Sequence, residues 1–269
     1  MLSTQSVQPI EKRPKGIRIS PMVITKTLAS IVVFLIIAYV AGMYYEHRFH
    51  PQYPTLAYQL VRTFDLNWEE NVPAFFSTVI LLLASLLLYA IYYLKKTHDN
   101  EKRKWGVLSF VFLFMAVDEN LQIHEYMSEV VRPMLFSDFS GLLYWAWVVP
   151  YAVLVLAAVA FFMPFVLGLP TKTKVLFIFS GAMFVAGAIG MELFEGYFYV
   201  RYGYTHIYNL VLYCLEEMLE MSSVVIFIYA LLDYLTLLMA HFYFGHNEHQ
   251  VGMAELEHKS ETSDMTVTP

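Results

Sequence analysis

The sequence predicts an all-α fold, a polytopic membrane helical bundle of about six transmembrane helices, on three observations. The first is composition. Of the 269 residues, 58% are hydrophobic and 15% charged, where a soluble domain carries about 25% charged residues. The second is run length: apolar stretches of about twenty residues recur, enough to cross the roughly 30 Å hydrocarbon layer as helices. The third is what interrupts those stretches, a set of carboxylates with no lysine or arginine among them.

Taken in order, the first span is predicted over about Met22–Tyr44, behind a positive flank of Lys12, Arg13, Lys15 and Arg18. It is longer than the apolar core of a cleavable signal, and its exit, Gly-Met-Tyr-Tyr-Glu, is not a small-residue cleavage site. It therefore reads as a retained helix. The second span is predicted over about Pro73–Leu94, with Pro73 suited to a helix start. In the segment before it, Glu70 and Asn71 fit as helix caps that meet water or as one wall of an internal cavity. The third to sixth spans fall at about Trp105–Met127, Leu142–Phe165, Lys174–Tyr199 and Thr205–Leu232. Beyond Asp233 the apolar run continues through Leu235–Phe244, as a longer tilted helix or an interfacial extension. Residues 1–20 and 246–269 are polar and read as disordered cytoplasmic tails, which leaves 21–245 as the transmembrane domain.

Basic residues set the orientation. With a cytoplasmic N-terminus, only Arg48, Arg62, Arg132 and Arg201 fall outside, and the other thirteen of the 17 lysines and arginines fall inside. That bias predicts an inner (cytoplasmic) bacterial membrane with both termini cytoplasmic. Trp68, Trp105, Trp145 and Trp147 fall near span ends, as expected of rings in the headgroup zone. The single cysteine, Cys214, rules out an intrachain disulfide. The chain has no glycine-rich phosphate loop, no Gly-x-Ser-x-Gly elbow, no internal repeat and no basic aromatic surface for nucleic acid. His241, His246, His249 and His258 follow no metal-ligand spacing.

The chemistry is expected in the acidic spans. Asp118, Glu119 and Glu125 lie in the third, Glu192 and Glu195 in the fifth, and Glu216, Glu217 and Glu220 in the sixth, with His124 beside Glu125. Each ionisable group at the bilayer centre costs about 2.5–3.5 kcal/mol on insertion scales, so eight carboxylates need cations, shared protons or internal water. On a continuous helix Asp118, Gln122 and Glu125 fall within about 60° of one another. Glu192 and Glu195 share a face at i,i+3, and the three glutamates of the sixth span occupy an arc of about 100°. All three stripes overlap in the outer half of the membrane, which predicts one internal site. Ala182, Ala186 and Gly190 form a small-xxx-small series ahead of Glu192, suited to close helix packing.

Carboxylates from facing helices with a histidine are the donor set of paired iron or manganese in ferritin-like bundles. All nine residues are therefore candidate ligands for a divalent metal, with iron, manganese or zinc as the candidates. The Glu-x-x-His pair of ferritin-like sites is missing from these spans. Two chemistries fit such a metal: oxygen activation against a lipid-like substrate, or polarisation of a water for hydrolysis with a spare glutamate as base. The matching partner class is the bilayer itself and a hydrophobic small molecule or lipid. Proton- or cation-coupled transport also uses intramembrane acids, and so does an accessory subunit whose acids meet a partner's groups. Hydrogen-bonded, protonated carboxyls that serve packing alone are the plainest alternative.

The run Asp118-Glu119 to Glu125, with glutamate-rich later spans and Glu70-Asn71-Val72-Pro73 ahead of a span, resembles uncharacterised bacterial multi-pass membrane proteins with intramembrane Asp/Glu/His motifs. The resemblance covers about spans two to six and implies a membrane bundle without an assigned activity.

Overall fold

The computed structural model describes residues 20–95, 101–135, 141–203 and 205–264. The first nineteen residues, with the positive flank and most of the expected N-terminal tail, lie outside the described residues, as do the side chains of the C-terminal histidines. Every described element is helical. The long helices are α1 (Pro21–Phe49), α3 (Val72–Leu94), α4 (Lys102–Leu121), α6 (Val148–Gly168), α7 (Thr171–Val185) and α9 (Ile207–Asp264). Shorter are α2 (Leu56–Thr63), α5 (Ile123–Leu135) and α8 (Glu192–Tyr202). A π-helical turn, Ala186–Met191, joins α7 to α8 within one span. Five helices are long and apolar enough to cross a membrane, and six if the bent pair α4–α5 counts as one.

The central helix is α9, which packs against α1, α3, α7, the π turn and α8. Its backbone stays helical to Asp264, beyond the end of the transmembrane domain expected from composition. Near one end of the bundle Trp105 is fully buried, stacked on Tyr234 at 4.9 Å and met edge-on by Phe165 and Phe177. Two turns further along, Phe112 stacks on Phe227 at 4.7 Å. Trp105 is thus a core residue, not a headgroup ring as its position near a span end suggested. Trp147, 7% exposed, is also internal. Helices α3 and α4 are joined by reciprocal bonds, the Ser85 hydroxyl donating to Ser109 O at 2.8 Å and the Ser109 hydroxyl to Ser85 O at 2.9 Å. In a lipid surround such small polar residues supply attraction that apolar burial does not.

Span three is not one straight helix. Gln122 adopts the left-handed conformation (φ 55°) and ends α4, and α5 leaves at 81°. The reason is legible afterwards: six of the eight residues 118–125 are polar. They point all around a helix, and a straight span could not keep them all from lipid. The predicted stripe of Asp118, Gln122 and Glu125 on one helix face therefore does not exist. The fourth span starts later than expected, at Val148, because 141–147 form a short 3₁₀ turn and a loop.

The segment between α1 and α3 is fastened by Arg62. Its guanidinium donates to Glu46 Oε1 at 2.5 Å and to Asp65, and lies over the rings of Tyr58 and Trp68. Burial nevertheless holds the Asp65 carboxyl above its usual range, outweighing the attraction of Arg62. Asn71 caps α3, accepting from Ala74 N at 3.2 Å while its amide donates to the carbonyls of Asp65 and Trp68 at 2.6 and 2.7 Å. These contacts fix the loop that presents Glu69.

Candidate functional site

The helix break builds the first half of the site. Ending α4 at Gln122 frees the amides that open α5, and Asp118 answers one of them: its Oδ1 accepts from His124 N at 2.9 Å. The other oxygen, Oδ2, lies 3.4 Å from His124 Nδ1. Tyr151 on α6 donates its hydroxyl to the same carboxylate at 3.2 Å. With Nδ1 turned to Asp118, the opposite nitrogen, Nε2, faces outward from α5 and stands 3.7 Å from Glu69 Oε1. Glu69, His124 and Glu125 each offer a donor atom, all within 4.8 Å of one another. Carboxylate to imidazole to ligand position is the arrangement by which metal sites fix a histidine's tautomer and ring plane. Burial pushes the Glu69 carboxyl up to about 8, with nearby Glu125 adding to the shift and His124 opposing it. Its Oε2 is buried and has no hydrogen-bond partner.

The second half lies on α8 and α9. Glu192 and Glu195, one turn apart on α8, meet Glu216 of α9, again with donor oxygens within 4.8 Å. Glu195 is 3% exposed, and its Oε1 has no hydrogen-bond partner. The approach of the helices depends on Gly187 in the π turn. A Cβ there would stand 3.0 Å from Glu220 Cγ, 3.1 Å from Glu216 O and 3.1 Å from Leu219 Cβ. Gly187 is buried, whereas Ala182 and Ala186 are exposed. The contact residue is thus next to the predicted small-residue series, not in it. Trp147 touches both halves: its ring centroid lies 5.0 Å from that of His124, and its Nε1 donates to Glu192 Oε1 at 3.0 Å. Its own amide donates to Ser128 of α5 at 3.2 Å, and Arg132 of α5 donates to Tyr144 O. So α5 grips the loop that carries the indole.

One family model matches this chain, a domain of unknown function designated DUF8692, over residues 28–235. The chain belongs to the DUF8692 family. The matched segment contains every residue of both halves of the site. No curated protein and no solved structure matches the chain.

In this DUF8692 protein, the nine sequence-predicted residues divide by role. His124 and Glu125 sit in one group, and Glu192, Glu195 and Glu216 in the other, while Asp118 positions His124. Glu119, Glu217 and Glu220 belong to neither group but stand close by. Glu217 is within electrostatic reach of Glu69, Glu195 and His124, and Glu119 within reach of Glu217 and His124. Arg201, which follows the fifth span, donates to Tyr197 at 3.3 Å. Glu69 is the residue that sequence reasoning missed. It lies in a loop outside any span, where an acid carries no cost that would single it out. The cap signal at Asn71 and Pro73 marks the loop but not the direction of this side chain.

Proposed function

We propose that this protein is an intramembrane metalloprotein whose first site, His124 with Glu69 and Glu125, holds a divalent ion of iron, manganese or zinc. The observation that carries the reading is the double hold of Asp118 on His124. It fixes Nδ1 and leaves Nε2 among two carboxylates. Three protein donors leave a coordination position open, which is the pattern of catalytic rather than structural sites. A metal there would polarise a bound water or oxygen species, and Glu119 and Glu217 stand near enough to move protons. The substrate class is a lipid or another hydrophobic small molecule that reaches the site from the bilayer. The proposed setting is a bacterial inner membrane with both termini cytoplasmic, which the distribution of basic residues supports.

The test is metal content by mass spectrometry on untagged protein in detergent, with His124→Ala and Glu69→Gln alongside. One equivalent of iron, manganese or zinc in the parent that is missing from both variants is expected. A well-folded parent that carries no metal would sink the reading. A second reading, cation- or proton-coupled transport, is favoured by one specific observation. Both the α4–α5 break and the π turn interrupt spans beside the acids, as in carriers whose broken helices hold ions. Ion flux into proteoliposomes that stops in His124→Ala would select it.

A further inference from the structure

We infer that Glu192, Glu195 and Glu216 form a second cation site, separate from the His124 site and built of oxygen donors alone, for a hard divalent ion of the magnesium, calcium or manganese class. Three carboxylates with donor atoms within 4.8 Å of one another repel unless something positive lies among them. Among the described residues no lysine or arginine forms an ion pair with any of the three.

Shared protons are the alternative, and Glu216 does bond to both of its partners. Apart from those bonds, Glu195 Oε1 is buried with no amide, hydroxyl or cationic donor among the described residues to meet it. A buried acceptor without a partner has lost its hydration uncompensated, and the loss is greater when it is charged. A divalent cation within the triad would satisfy that oxygen and offset two of the three negative charges. The remaining construction is consistent with a ligand site. The Trp147 indole holds Glu192 by one oxygen, Oε1. Gly187 admits α9 closely enough for Glu216 to complete the triad.

The donor set decides the class of ion. With no imidazole or thiolate in the group, carboxylates and water favour magnesium, calcium or manganese over softer ions. The triad shares no residue with the first site, so this inference does not depend on the His124 reading.

Manganese(II) is the probe, followed by its paramagnetic resonance signal during titration of detergent-solubilised full-length protein. The His124→Ala protein, with its first site disabled, is expected to bind a single Mn2+. The double variant His124→Ala/Glu195→Gln is expected to bind none. Glu195→Gln alone should keep the metal of the first site. Folding is checked by size exclusion and thermal melting, and Glu216→Gln replaces Glu195→Gln if the latter aggregates. Three results would overturn the inference: no Mn2+ bound by folded His124→Ala, binding unchanged by either glutamine, or Glu195→Gln stripping both ions. The first of these would mean a proton-sharing cluster, and the last a single shared centre. Metal that is lost in His124→Ala but unaffected by Glu195→Gln would leave the first site standing and remove only this one.

Discussion

Asp118 holds His124 by both main chain and ring, so its replacement should behave differently from loss of a ligand. In Asp118→Asn the amide oxygen can still accept from His124 N, and α5 should start where it does now. The side-chain amide cannot hold the Nδ1 proton as a carboxylate does. Metal affinity is therefore expected to fall by about 10–100-fold, the usual effect of removing such an orienting partner. His124→Ala should abolish binding at that site, and isothermal titration of the two variants separates the cases. Glu69 gives a second residue-scale prediction. Its carboxyl is pushed from 4.5 to about 8 by burial and Glu125. A raised folded-state value means that its contribution is fully present below the unfolded value and is lost as pH rises through the folded one. In chelator, the melting temperature of the parent should decline between about pH 4.5 and about pH 8. Glu69→Gln should flatten that decline, and an identical slope in both proteins would exclude Glu69 as its source. Asp118 and His124 were each legible in the sequence as unusual residues in an apolar stretch. Their contact was not, because it depends on a left-handed Gln122 that a regular 100° wheel cannot represent.

At the scale of elements, the π turn and the helix break do the positioning. Gly187 is a close approach between the fifth span and α9, with two side-chain atoms and a carbonyl within 3.1 Å of any added Cβ. Two of those contacts, Glu216 O and Leu219 Cβ, belong to the helix body rather than to a flexible side-chain end. Gly187→Ala should therefore push α8 from α9 and lower stability by about 1–3 kcal/mol, as overpacking does. It should also weaken ion binding by the glutamate triad. Gly190→Ala is the control, since its nearest neighbour lies at 4.0 Å, and melting curves of the two should differ clearly. The sequence marked this region through Ala182, Ala186 and Gly190, and the region is correct. The register is not: the residue that meets α9 is Gly187, one position past Ala186 at the start of the π turn. The carboxylate pair Glu192 and Glu195 escapes the problem because both lie after the turn, on regular helix.

For the whole molecule, the question is how many times the chain crosses, since the bent α4–α5 pair reads as one broken span or as a re-entrant loop. Contacts along α6 bear on it. Lys104, at the start of α4, donates to Phe161 O, two thirds of the way along α6, at 2.9 Å. Asp118, near the end of α4, accepts from Tyr151 in the first turn of α6 at 3.2 Å. The two helices run antiparallel between these contacts, and the 20 residues of α4 cover about 30 Å. That is long enough for a crossing, with α5 turning aside at its end. Taken with α5 as one broken span, α4 makes the count six, and an even count would return the chain to its starting side. Composition made the number of apolar runs legible, but it did not distinguish a kink at a membrane surface from one at mid-depth. Single cysteines in a Cys214→Ser background test the topology through an impermeant thiol reagent on intact cells. Glu70→Cys and Glu129→Cys, one before α3 and one on α5, should label from the same outer side, whereas Thr171→Cys should label only after permeabilisation. A re-entrant α4–α5 unit would instead put Glu129→Cys on the side opposite Glu70→Cys.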